Sequence, residues 1–253
     1  MKLKNILKYF WKGVVPEPFE YPYTRRIPNI AYGKKATFEQ KLRFVVGFIP
    51  ILRNRFYKFT VIERIAEDPF VISEVSKLPN GAKVLDFGCF ASMLPMQLSS
   101  AGYKVTGVDY YDYIYKHPNF KFFKGNFLDI DLPKGGFDLI YAVSVLEHVG
   151  IGWYDIEKKD VSLEKVIRKI KTLLKPRGEF ITTVPYGNAK LYPYFRVFGK
   201  AQLRELFKDF RLVKEAYFLR KDNTSWILSD DKPVGPSSTW EFNKVACWVL
   251  RKK

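Results

Sequence analysis

One stretch limits what this chain can fold into: Lys83-Val84-Leu85-Asp86-Phe87-Gly88-Cys89-Phe90-Ala91-Ser92. A short apolar and β-branched run ends in Asp-x-Gly, and a helix-like segment over residues 91–101 follows at once. A strand that delivers a tight turn into a helix is where α/β proteins bind a nucleotide-like ligand. Strand signals recur at 84–87, 105–108, 120–123, 137–143, 179–184, 212–218 and 245–250, with helices at 161–174 and 200–208. Another helix is expected from about Pro69 to Leu78, before the turn Pro79-Asn80-Gly81. The alternation predicts a mostly parallel sheet covered on both faces. Residues 226–243, rich in Pro, Ser and Gly, read as a loop, which lets the last strand run antiparallel.

The first sixty residues read differently. Thirteen Lys/Arg stand against three Glu in residues 1–58, a net of +10 out of +17 for the whole chain. Leu3, Ile6, Leu7, Phe10 and Trp11 fall at helical spacing between lysines, predicting an amphipathic helix from Lys2 to Lys12. Residues 14–36 read as an aromatic connector without regular structure, and Phe38 to Phe59 as two helices broken near Pro50. The division expected is a basic extension over 1–60 and a catalytic domain over 61–253. A basic extension suits an anionic partner, so peripheral contact with an anionic membrane through residues 1–58 stands beside a plain solvated face.

Other classes fall away. A hydrophobic content of 47% supplies a core and excludes global disorder. Two cysteines make no disulfide framework and read as a reducing, cytoplasmic setting. No apolar run approaches the roughly 20 residues that span a bilayer, and the N-terminus lacks the features of a signal peptide.

The chemistry lies in four pieces in order. Asp86-x-Gly88 is the first. Gly107-Val108-Asp109 ends the second strand in an acid able to accept from both hydroxyls of a ribose. Gly125-Asn126-Phe127 follows the third strand, where a side-chain acceptor and a backbone N–H can read an adenine edge. Phe137-Asp138 opens the fourth strand, which runs into Ser144-Val145-Leu146-Glu147-His148-Val149.

With these pieces the chain resembles the class I S-adenosylmethionine-dependent methyltransferases over roughly residues 60–253. The Leu-Lys-Pro-Arg-Gly-Glu stretch at 174–179 is similar to the family's segment before its fifth strand. The resemblance implies a Rossmann-like three-layer sandwich with a seven-stranded sheet, order 3-2-1-4-5-7-6, the seventh antiparallel. It implies S-adenosylmethionine held by Asp86, Gly88, Cys89, Phe90, Ser92, Asp109, Tyr110, Asn126, Phe127 and Ser144. More narrowly, Leu146 to Tyr154, Thr183-Val184-Pro185-Tyr186-Gly187 and Phe195-Arg196-Val197-Phe198 resemble a branch tied to surface-polysaccharide and sugar biosynthesis. That implies O-methylation of a sugar, nucleotide-sugar or lipid-linked glycan.

The chain departs from the family pattern where Phe90 and Ser92 replace turn glycines and Asn126 replaces an acid. Ser92 can donate to the methionine carboxylate. Phe90 is expected to turn its ring away from the ligand and under the first helix. Glu147 and His148 are the candidate catalytic pair: His148 as a general base, or the pair as a brace for its loop. Ubiquinone O-methyltransferases of similar fold carry a further acid three residues before their Glu-His and can use it around a metal. Ser144 stands there, so no metal is expected. Without an Asn/Asp-Pro-Pro-aromatic run, an exocyclic amine of DNA or adenine is disfavoured as acceptor. A lipid or quinone methyltransferase and a non-catalytic binding subunit remain the alternatives. A dinucleotide enzyme is disfavoured by the single glycine in the turn, and RNA modification by the lack of an RNA-binding module.

Overall fold

The computed structural model describes residues 20–21, 24–26, 59–151, 161–237 and 241–253. The chain divides into two compact units, Met1–Ile65 with Lys221–Ser225, and Ala66–Arg220 with Trp226–Lys253. In the first, β1 (Glu20–Tyr21), β2 (Thr24–Arg26) and β3 (Phe59–Val61) form a small antiparallel sheet in that order. Val61 N–H donates to the Asn223 carbonyl at 2.7 Å. The connector expected at 14–36 therefore contains two strands, too short for a period-two alternation to show. The helices expected at Lys2–Lys12 and Phe38–Phe59 lie outside the described residues, except that Phe59 opens β3.

The second unit is built on an eight-stranded sheet. Its elements are α1 (Arg64–Val75, of which the first two residues fall in the first unit), β4 (Lys83–Phe87), α2 (Leu94–Ser100), β5 (Lys104–Asp109), β6 (Phe120–Lys124), β7 (Phe137–Val143), α3 (Leu163–Leu173) and β8 (Leu174–Pro185). They are followed by the pair β9 (Lys190–Leu191) and β10 (Arg196–Val197), then α4 (Lys200–Leu206), β11 (Phe210–Arg220), β12 (Trp226–Ser229) and β13 (Lys244–Lys252). The sheet order is β12-β11-β13-β8-β7-β4-β5-β6. Strands β6, β5, β4, β7 and β8 are parallel, and β13 is antiparallel to both its neighbours. Within it lies the expected order 3-2-1-4-5-7-6.

The eighth strand corrects the loop expected over 226–243. Trp226–Ser229 pairs antiparallel with Tyr217–Arg220 at the sheet edge. It is four residues long, and Ile227 and Leu228 are both exposed, so no alternation marked it. Helix α1 also begins before the expected Pro69, which sits inside it. One proline inside a helix forfeits one backbone donor, and burial of the face around it can hold the helix together. Here Phe70, Val71 and Val75 are buried.

Alternation appears where both faces of the sheet are covered. Along β7, Leu139, Tyr141 and Val143 join the cluster under α1 and α2, while Ile140 and Ala142 join the cluster under α3 and α4. Strand β13 repeats this, with Val245, Cys247 and Val249 on one face and Ala246, Trp248 and Leu250 on the other. These strands read as continuous apolar runs because neither face meets water. Asp138 of the Phe-Asp pair works at the opposite end of β7 from the ligand edge. Its carboxylate accepts from the Lys83 backbone N–H at 2.8 Å and from Lys175 at 2.6 Å, fastening the start of β4 to that of β8.

Candidate active site

Because β4, β5, β6 and β7 are parallel, their C-terminal ends share one edge of the sheet. The strand order reverses between β4 and β7, the position where open α/β sheets bind ligands. The candidate residues gather there.

The turn after β4 is tightly specified. Gly88 has φ +89, and a Cβ on it would lie 2.3 Å from Val145 Cγ2, so the turn and the segment after β7 are in close approach. Ala91 also takes a left-handed conformation, φ 58. Cys89 is fully buried, and a Cβ on Gly107 would meet its Sγ at 2.9 Å. The thiol thus packs against β5, and burial beside Asp86 and Asp109 pushes its pKa far up. Asp86 is buried at the end of β4, next to the fully buried Tyr141, whose hydroxyl burial and the Asp86 charge hold well above the usual range.

Asp109 organises the edge. Its Oδ2 accepts from Phe90 N–H at 2.9 Å and its Oδ1 from Tyr111 N–H at 3.0 Å, joining the turn to the chain after β5. Burial raises its pKa, against these backbone donors and that of Tyr110. With three backbone donors on its two oxygens, the carboxylate still has lone-pair capacity for a ligand hydroxyl. Tyr110 is half-buried beside it, its hydroxyl pKa raised by burial and by Asp129 and Asp109.

Phe90 does not lie under a helix. Its half-buried ring tilts against Tyr111 at 4.9 Å and belongs to neither core cluster. The turn carries the Phe90 N–H into Asp109, and that directs the ring sideways along the edge. Phe90→Gly should therefore cost about 1–2 kcal/mol, an aromatic pair plus glycine entropy, and not the 3–5 kcal/mol of a core ring. Chemical denaturation checks this, with an unchanged m-value and a slightly lower midpoint expected.

After β6, the Asn126 side chain is occupied locally. Its Oδ1 accepts from Leu128 N–H at 3.0 Å and its Nδ2 donates to Asp129 at 3.0 Å, forming an Asx turn. The Phe127 ring stacks on Phe87 at 4.3 Å inside the core. An adenine edge at this position would meet the backbone before either side chain.

Ser144 and the short 3₁₀ turn Leu146–His148 end β7. Ser144 has φ 50, its N–H donates to Thr183, and its hydroxyl donates to both oxygens of Glu67, at 2.9 and 3.0 Å. Glu67 on α1 is fully buried. Sequence reading missed it: its only mark is a carboxylate on the packed face of a helix. Glu147 is buried close enough to Arg196 for their charges to interact, and burial lowers the Arg196 pKa against the pull of Glu164 and Glu147. His148 Nδ1 lies 2.7 Å from the Tyr194 carbonyl oxygen. A carbonyl only accepts, so Nδ1 carries the proton and the Nε2 of the neutral ring holds the lone pair. Arg196 also donates to the Val149 carbonyl, tying this turn to β10. Gly152, Trp153 and Tyr154 lie outside the described residues. Among the described residues, no group of three His, Cys, Asp or Glu is placed to hold a metal ion, and no helix is long and apolar enough to cross a membrane.

No curated protein matches the chain. Residues 85–182 match the family model described as a methyltransferase domain. A SAM-dependent methyltransferase from Methanosarcina mazei superposes with a TM-score of 0.51 at 14% identity, covering 72% of this chain and 96% of that one. An S-adenosylmethionine-dependent methyltransferase from Mesorhizobium loti gives 0.50 at 11% identity, covering 74% and 99%. The Haemonchus contortus phosphoethanolamine N-methyltransferase 2 in complex with S-adenosyl-L-methionine gives 0.52 at 12% identity, covering 73% and 52%. Residues 85–182 thus match a methyltransferase-domain model, and the chain has the class I fold seen in solved S-adenosylmethionine-dependent methyltransferases.

Proposed function

We propose that this chain uses S-adenosylmethionine to methylate an oxygen of a sugar, nucleotide-sugar or lipid-linked glycan, and works in the cytoplasm in surface-polysaccharide biosynthesis. The residues present fit that cofactor: the Gly88 turn leaves no room for a Cβ, and Asp109 offers two carboxylate oxygens beside it. Such a cofactor supplies a methyl group on a sulfonium sulfur, which leaves as a neutral thioether. The chain's part is to hold the acceptor in line with that bond and to accept a proton.

The observation that carries the oxygen reading is the His148 hydrogen bond. With Nδ1–H fixed on the Tyr194 carbonyl, Nε2 is an oriented base for an acceptor hydroxyl. A hydroxyl is a poor nucleophile until its proton is removed, so a fixed imidazole suits it. Glu147 and Arg196 hold the turn around it.

A second reading is a membrane-associated lipid or quinone methyltransferase. It gains from the exposed Tyr111, Ile114 and Tyr115 beside Lys116, and from the +10 charge of residues 1–58. The test offers radiolabelled S-adenosylmethionine with nucleotide-sugars, lipid-linked sugars, quinols and phosphoethanolamine, and identifies products by mass spectrometry. An O-methyl sugar is expected. Methylation of only quinol or phosphoethanolamine would replace the glycan reading. Cofactor binding with no turnover on any acceptor would favour a binding subunit.

A further inference from the structure

We infer that Glu67 is a positioning residue that makes Ser144 an acceptor for the α-ammonium of the cofactor's methionine end. The inference rests on the cofactor reading above. A serine hydroxyl has one proton and two lone pairs. The Ser144 proton is committed to the buried Glu67 carboxylate, at 2.9 and 3.0 Å. What Ser144 can still offer a ligand is lone-pair density, which the carboxylate behind it strengthens. An ammonium donates only, so it matches.

Ser92 has the opposite polarity. Its Oγ accepts from Leu94 N–H at 3.2 Å, and its own proton stays available to a ligand. A carboxylate accepts only, and matches that. The two serines end up on the same crevice because Gly88 touches Val145, the residue after Ser144, while Ser92 closes the turn that Gly88 opens. An amino-acid end carrying both charges is then read by two hydroxyls of opposed direction. The positive φ of Ser144 is consistent with this, since an ordinary residue in that conformation needs its surroundings to hold it. Hydrogen bonds to Thr183 and Glu67 do so from both sides.

Calorimetry tests this with S-adenosylhomocysteine, its analogue lacking the α-amino group and its analogue lacking the α-carboxylate. Ser144→Ala should weaken S-adenosylhomocysteine binding by about tenfold or more, and Glu67→Gln, which keeps one acceptor for the Ser144 proton but loses the charge, by a smaller factor. Their affinity for the analogue without the amino group should stay at the wild-type value. Ser92→Ala should show the reverse selectivity, losing affinity only for ligands that keep the carboxylate. Equal losses for all three ligands in Ser144→Ala, or none, would overturn the assignment, whether or not Glu67→Gln folds. If the unmutated protein binds none of the three, the cofactor reading falls, and this inference with it. If it binds them but the losses are uniform, the assignment of Ser144 and Glu67 fails while the cofactor reading stands.

Discussion

Asp109→Ala is expected to weaken binding of S-adenosylhomocysteine by about a hundredfold or more. Two charge-assisted hydrogen bonds to ribose hydroxyls are lost, each worth about 1.5–3 kcal/mol. The same change also removes the acceptor for Phe90 N–H and Tyr111 N–H, and with it the tie between the turn and the chain after β5. Asp109→Asn keeps one acceptor oxygen and should fall between the two. The carboxylate form is the one that accepts, and burial has raised its pKa. Cofactor affinity should therefore decline as pH falls through that raised value, sooner than for an exposed aspartate. The stability effect has the opposite sign. A carboxyl whose folded-state pKa lies above its unfolded value favours the folded state at low pH and loses that contribution as pH rises through the raised value. Affinity should fall with acid while this group's contribution to apo stability rises. Isothermal titration of the folded Asp109→Ala protein decides the matter, and unchanged affinity would remove Asp109 from the site.

Much of this was legible because it rests on local rules. Strand β7 spells out a two-sided core strand residue by residue, and Asp86-x-Gly88 announces a turn that needs a positive φ. What stayed hidden depended on partners remote in sequence. Strand β12 exists because β11 offers it an edge, and its own four residues carry no period. The Phe90 ring went to Tyr111 because Asp109 captures the Phe90 N–H, a long-range bond that no reading of the turn contains. Asn126 looked like a free acceptor, but a local Asx turn takes both ends of its amide. Glu67 was invisible for the same reason in reverse. Only the fold brings α1 against the end of β7, and only then does a helix glutamate become part of a site.

His148→Gln is expected to lower kcat by about a hundredfold to ten-thousandfold, the usual range for a general base, while cofactor affinity is unchanged. Glutamine can still donate to the Tyr194 carbonyl, so the tie that His148 makes at 2.7 Å survives in kind. It cannot accept a proton at neutral pH. The substitution therefore separates the two roles that a Glu-His pair offers. As a base, His148 gives the wild-type rate an acidic limb: turnover falls as pH drops and the ring takes up a proton at Nε2. The limb should vanish in His148→Gln, leaving a low and flat rate over that range. If the pair is only a brace, glutamine restores most of the turnover, and whatever activity remains keeps the wild-type pH profile. His148→Ala, which loses both roles, should then fall below His148→Gln in stability as well as in rate. A glutamine variant with near-normal kcat would end the base assignment and, with it, the main support for an oxygen acceptor.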